Sequence, residues 1–471
     1  MNRKTLPAFI LLLTFAVLPS AEGAELRIAG FRVTSLETVC SHARAPGAIE
    51  PGSIDVGSNA VIAPDAYRVY PVAGRTDADV FIPYYVDLQP GPGVRDWNCG
   101  RLAFEGHSGH DPYIRSFAEQ DIGVPVFAAL DGVVVDVHDA EPDKNVVADS
   151  AARANVVVID HSPWHRSIYR HLKQGSATVA KGEWVAAGTE IGMVGSSGAS
   201  VGPHIHFESR LEGQFFEPLA GPCREGVSLL ANQPATTNGG FRILDVAFSS
   251  EPFASFPEAP FDQAPRTGTY LSGPRQIHLQ VDAANIRTAL DYRITLVRPD
   301  GSGLTPVTGS LATSSMTSRS TYTWALDTNL DTTGDWMLLF EVNNQVVARA
   351  PIRVVGSAAQ VVNRPPKGIA VELTPSSLRA ADVAICRVNS DLLFRDPDYD
   401  VVRYQYRWTV DGEVVRERTT AAMTDVLSRE HVIAGTRLRC EVTASDGTAS
   451  ATPAAATVDV EAPSRRRGVI R

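Results

Sequence analysis

The sequence predicts an all-β chain: an antiparallel β domain that carries the chemistry, followed by two β-sandwiches. Three observations carry this. Short apolar runs, many alternating with polar residues, recur between Gly-, Pro-, Asn- and Asp-rich turns over most of the chain. No helical period of useful length interrupts them. Finally, 471 residues is about three domains' worth of chain. Eight of the eleven histidines fall between His107 and His206, which singles out the first of these domains.

The chain opens with Asn2-Arg3-Lys4, an apolar run from Ala8 to Leu18 and small residues around Ala21-Glu22-Gly23. That order marks residues 1–23 as a secretory signal, too short to span a bilayer. No cysteine follows it to take a lipid, and no other stretch suits a membrane span, so the mature chain is expected to be exported without a membrane anchor. Net charge is −10, which argues against nucleic acid and against electrostatic attraction to anionic surfaces. An oxidising compartment makes disulfides reasonable among Cys40, Cys99, Cys223, Cys386 and Cys440, with one left over. Cys99 with Cys223 would close the histidine-rich domain and is favoured over Cys40 with Cys99.

Residues 24–98 are irregular, rich in Pro and Gly, and are expected to be an N-terminal elaboration packed on the histidine-rich domain. Residues 99–232 alternate strand-like runs with Gly-rich turns, among them Gly132-Val-Val-Val-Asp-Val137, Asn155-Val-Val-Val-Ile-Asp160 and Ser167-Ile-Tyr-Arg-His-Leu172. A polar connection over 139–154 is expected to rim a cleft. Around residues 224–240 the chain turns polar, most clearly from Asn232 to Gly240, and reads as a linker. Residues 241–356 carry alternating runs such as Tyr292-Arg-Ile-Thr-Leu-Val297 and suit a β-sandwich. A second linker spans 357–366. Residues 367–462 contain Cys386, Trp408 and Cys440 in the order of an Ig-like sandwich, with a bridge expected between the cysteines. Residues 463–471 form a basic tail.

The chemistry centres on His204-Ile205-His206, preceded by Gly195-Ser-Ser-Gly-Ala-Ser-Val-Gly-Pro203. On a strand, residues two apart share a face, so two imidazoles project together while Ile205 turns inward. His107 and Asp111 lie four apart, with Gly109 and Pro112 favouring a loop over a helix. Two histidines and a carboxylate would leave a fourth coordination position for water, as in a catalytic zinc site. His171 lies on a strand of the same domain. No H-E-x-x-H helix supplies a glutamate base, so the proton work falls to histidine. His110 is expected to point away from Asp111. His161 reads as a turn residue, and His138 and His165 as surface residues or outer partners of a ligand. Tyr169 and Asn155 read as structural.

In order along the chain, His107-x-x-x-Asp111, Tyr169-x-His-Leu172 and Gly195-Ser-Ser-Gly-x-Ser-x-Gly-Pro-His-x-His-Phe-Glu208 resemble the M23 family of zinc metallopeptidases, the lysostaphin and LytM type. The resemblance covers roughly residues 100–220. It implies one zinc ion held by His107, Asp111 and His206, with His171 and His204 as the catalytic pair. It also implies hydrolysis of peptide bonds in bacterial peptidoglycan, in the periplasm or outside the cell. The rival readings are a secreted protease for Gly-rich proteins and a non-catalytic wall-binding or hydrolase-regulating relative. The two sandwiches are expected to meet a surface or a protein partner. Asp396, Asp398 and Asp400 form an acidic run that admits Ca2+, though a solvated turn is favoured.

Overall fold

The structure is a computed structural model. It describes residues 25–36, 65–231, 233, 240–253, 265–286, 288–311 and 317–462. The signal at 1–23, Cys40, residues 234–239 of the first linker and the basic tail lie outside the described residues. The chain divides into two compact units.

One unit holds residues 38–239, 365–392 and 401–471. Its centre is a six-stranded antiparallel sheet, ordered Trp184–Val185, Gly132–His138, Val156–Asp160, His165–Arg170, His206–Leu211 and Gln214–Phe215. The strands form because β-branched and aromatic residues line one face: Val134, Val157, Ile159, Tyr169 and Phe207 are all buried. Register places Arg170 opposite His206, so one end of the sheet collects the histidine motifs. Among the described residues one α-helix, Phe117–Ile122 of six residues, interrupts an otherwise all-β fold. Ser116 caps it by accepting from the Glu119 amide at 3.2 Å, and such a helix is too short for a periodic signal. Cys99 and Cys223 are bridged as expected.

The N-terminal elaboration expected over residues 24–98 is in fact divided between the units. Residues from Tyr67 onward wrap the histidine-rich domain, with Val72 bridging to Val126 and Phe81 to Tyr113. Arg27–Leu36 instead pairs with Thr317–Leu330 in the other unit. Phe31 explains the choice: its ring lies 5.3 Å from that of Trp324 in the sandwich core.

The second unit is a two-sheet sandwich. Four strands run in the order Arg27–Leu36, Thr317–Leu330, Gly273–Ile286, Arg242–Ser249. Five run in the order Thr269–Leu271, Gln345–Val355, Gly334–Val342, Leu290–Val297, Val307–Leu311. Trp324, Trp336, Phe340 and Leu279 fill the space between. Residues 393–400, expected in the last domain, belong here. Tyr399 donates to the Pro351 carbonyl at 2.8 Å. The acidic run is not a solvated turn. Asp396 and Asp398 are buried, Asp398 pairs with Arg364 at 2.9 Å, and Asp396 accepts from the amide of Asp398 at 2.7 Å. Burial pushes Asp396 up to about 7. Arg364 already supplies positive charge at this run.

The C-terminal module in the first unit has sheets of three and five strands. Trp408 is buried beside the Cys386–Cys440 bridge. This module is built into the histidine-rich domain: Val383, Ala421, Ala422 and Val426 join its core, and the Met423 amide donates to Asp79 at 2.7 Å. Arg416 spans the junction, pairing with Asp425 at 2.7 Å and Glu190 at 2.9 Å. Asp425 is fully buried, so Arg416→Ala strands its charge. The expected cost is about 3 kcal/mol or more, read as a lowered urea midpoint. An unchanged midpoint would show that the junction carries little stability. Among the described residues no helix is long and apolar enough to cross a membrane.

Candidate metal centre and active site

Two glycines let the site assemble. A side chain at Gly109 would meet the Phe207 carbonyl at 2.5 Å and the His206 ring at 2.9 Å. Its absence lets the His107–Asp111 loop lie against the strand that starts at His206. A side chain at Gly195 would meet the backbone of Leu172 and Lys173 at 2.4–2.6 Å, so the Ser-Gly loop packs directly behind His171. Asn145 locks that loop through the Ser196 and Gly198 carbonyls, as a rim formed by the 139–154 connection would.

His107, Asp111 and His206 converge. His107 Nε2 lies 3.1 Å from His206 Nδ1 and 3.2 Å from Asp111 Oδ1, and His206 Nδ1 lies 2.9 Å from Asp111 Oδ1. Their outer contacts fix the ring protons. His107 Nδ1 sits 2.8 Å from the Tyr85 carbonyl, so it carries the proton, and Nε2 presents a lone pair. His206 Nε2 faces Glu208 and Ser108, each at 3.4 Å, which leaves Nδ1 as the lone pair. Two lone pairs and a carboxylate oxygen therefore point at one small volume, where they repel unless a cation or proton intervenes. Tetrahedral zinc with bonds of about 2.0–2.1 Å separates its ligand atoms by about 3.3 Å. The donor set and spacing fit that ion, with His107–Tyr85 and His206–Glu208 as the outer partners such ligands need.

The charges agree. Burial alone would raise Asp111, but when the imidazoles carry a second proton in place of a cation, the charge of His107 and the bonds from His107 and His206 hold it well below the usual carboxylate range. Burial would raise Glu208 too, yet its bond to His206, with the charges of His206, Arg210 and Arg170, holds it at about 2. The site keeps its carboxylates ionised and calls for positive charge.

His171 and His204 stand beside this group, their rings 4.6 Å apart. His171 adopts φ +63°, a left-handed conformation that breaks strand alternation after Arg170. Its Nδ1 lies 2.6 Å from the Ser197 carbonyl. His204 Nδ1 lies 2.8 Å from the Gly202 carbonyl, leaving Nε2 unprotonated; that atom is buried without a partner among the described residues. Burial lowers the His204 pKa despite Asp111 nearby, so the ring is neutral near pH 7. All five side chains are at most 1% exposed.

The other four histidines between His107 and His206 lie elsewhere. His110 turns away and bonds Glu217 at 2.7 Å. His138 bonds Glu141. His161 links the Asp131 carbonyl to Ser167. His165 is not at the surface: it is buried, bonded to Tyr67 at 3.0 Å, and burial, then His161, lowers it to about 4. Because its folded pKa lies below the ordinary 6.5, the unfolded chain binds the proton more tightly, and stability falls as pH drops from about 6.5 toward 4. After discounting for screening the loss is about 2 kcal/mol. His165→Gln should flatten the urea midpoint between pH 7 and 4.5; an unchanged slope would assign the acid sensitivity elsewhere. Sequence reasoning missed Tyr113, whose ring stacks on His204 at 4.2 Å and 3°, and gave no role to Arg170 or Glu208. Only the pairing register reveals Arg170.

The sequence model described as peptidase family M23 matches residues 115–218. The chain carries an M23 peptidase domain. Among its relatives, the DD-carboxypeptidase/endopeptidase Mpg of Neisseria meningitidis serogroup B is 36% identical over 98 residues, 21% of this chain and 20% of that one. Peptidoglycan DD-endopeptidase ShyB of Vibrio cholerae is 30% identical over 112 residues, 24% of each chain. The chain thus spans about a fifth to a quarter of the length of these relatives. The catalytic domain of lysostaphin from Staphylococcus simulans is 23% identical with a TM-score of 0.20, covering 30% of this chain and 90% of that one. His107 and Asp111 lie upstream of the matched M23 segment, and folding alone brings them to His206.

Proposed function

We propose that this protein is an exported zinc-dependent endopeptidase that hydrolyses peptide bonds of bacterial peptidoglycan, acting in the periplasm or outside the cell. The observation that carries the reading is the convergence of one lone pair each from His107 and His206 on the Asp111 carboxylate. These three residues would hold one zinc ion. Zinc bound there supplies Lewis acidity, activating water near neutral pH and polarising a carbonyl. The chain's own residues do the rest. His204 Nε2, neutral and unpartnered, is placed to take a proton or to donate one to developing negative charge. His171, fixed through Ser197, shares that task from the adjacent position. Tyr113 holds the His204 plane by stacking.

Peptidoglycan as substrate is supported by the relatives' names and by the match of the M23 segment. The test is to offer the zinc-loaded protein a D,D-cross-linked muropeptide dimer beside a folded Gly-rich protein, and to follow new amino groups. Cleavage of the dimer alone supports the proposal. Cleavage of the protein alone would replace the substrate, and cleavage of neither would remove the peptidase reading.

A further inference from the structure

Arg170 is opposite His206 in the antiparallel pair, so the two side chains rise from the same face with Cα atoms about 5 Å apart. Glu208, two residues on, shares that face. Arg170 acts on Glu208 through its charge but makes no side-chain hydrogen bond among the described residues. Its Nε is buried with no hydrogen bond, and among the described residues the guanidinium makes no ion pair. Arg170 adds to the field at Glu208 but is not its direct ion-pair partner. Arg210 already binds one Glu208 oxygen, and the other faces His206 and Ser108. The side chain is half-buried, its Nε is a buried donor left without an acceptor, and such a donor is costly unless a ligand completes it. The planar fork of a guanidinium matches a carboxylate with two parallel hydrogen bonds.

We infer that Arg170 binds a free carboxylate on the substrate residue next to the scissile bond. The inference rests on the peptidase reading and narrows it. A bond between two D-residues whose second residue keeps its own carboxylate fits. An internal bond of a Gly-rich bridge, with no carboxylate nearby, does not. Arg170 is thus a specificity-determining residue.

Two synthetic substrates test this: a D,D-cross-linked muropeptide with a free carboxylate on the residue after the scissile bond, and its carboxamide twin. Wild type, Arg170→Gln and Arg170→Lys are compared by kcat/KM on both, with zinc content and melting temperature measured alongside. Amidation should cost the wild type about 10- to 100-fold, the worth of a charge-assisted hydrogen bond. Arg170→Gln should lose a similar factor on the acid, treat acid and amide alike, and keep its zinc. Arg170→Lys should retain part of the preference. Equal losses by Arg170→Gln on both substrates would make Arg170 a structural charge and overturn the inference. Equal rates of the wild type on acid and amide would overturn it without any variant. If the wild type cleaves neither substrate, the peptidase reading fails and the inference with it; if it cleaves both alike, only the arginine assignment fails.

Discussion

Asp111→Asn should release the zinc ion and lower peptide hydrolysis by about a thousandfold or more. Asp111 is the one anionic group among the three proposed ligands, and its Oδ1 touches both imidazoles within 3.2 Å. Asparagine keeps the shape but removes the charge that a divalent ion needs. Loss of an outer partner alone typically costs 10- to 100-fold in metal affinity, so loss of a direct ligand should exceed about 100-fold. The activity loss follows because metal activation is worth several kcal/mol, about tenfold for each 1.4 kcal/mol. Metal analysis of the dialysed variant and its hydrolysis rate give the two readings. A variant that keeps one zinc and full rate would remove Asp111 from the site.

His204→Ala should behave differently: zinc stays, KM moves little, and kcat falls about 10²- to 10⁴-fold. Its Nε2 faces no protein partner among the described residues, so removing the ring breaks no ligand bond, although Tyr113 loses its stacking surface. His171→Ala should fall in the same range. If the two rings work on one proton-transfer event, the double variant should lose hardly more than either single one. Zinc loss in His204→Ala would make that ring a ligand and reverse the assignment.

Much of the site was legible in the chain because strand geometry is simple. His204-Ile205-His206 suggests two-residue alternation, although the strand begins only at His206 and all three residues are buried. The order His107, Asp111, His171, His206 carries the resemblance, and the Cys99–Cys223 bridge followed from closing the domain. What stayed hidden depends on long-range pairing. That Arg27–Leu36 crosses to the central sandwich is settled by Phe31 against Trp324, a contact nearly three hundred residues apart in sequence. The place of Arg170 opposite His206 is a matter of register, and no local pattern encodes register. The acidic run at 396–400 misled because carboxylates usually face water, whereas Arg364 draws Asp398 inward. The C-terminal module looked like an appended sandwich, since nothing local to Arg416 or Met423 announces Glu190 and Asp79 as their partners.

The most direct test of the zinc-peptidase account is digestion of purified peptidoglycan by the mature protein, counting new free amino groups with and without a zinc chelator, beside His206→Ala. The account predicts new amino termini from the untreated wild type, none with chelator, recovery on adding zinc, and none from the variant. Undiminished release in the chelator, or from His206→Ala, would contradict it.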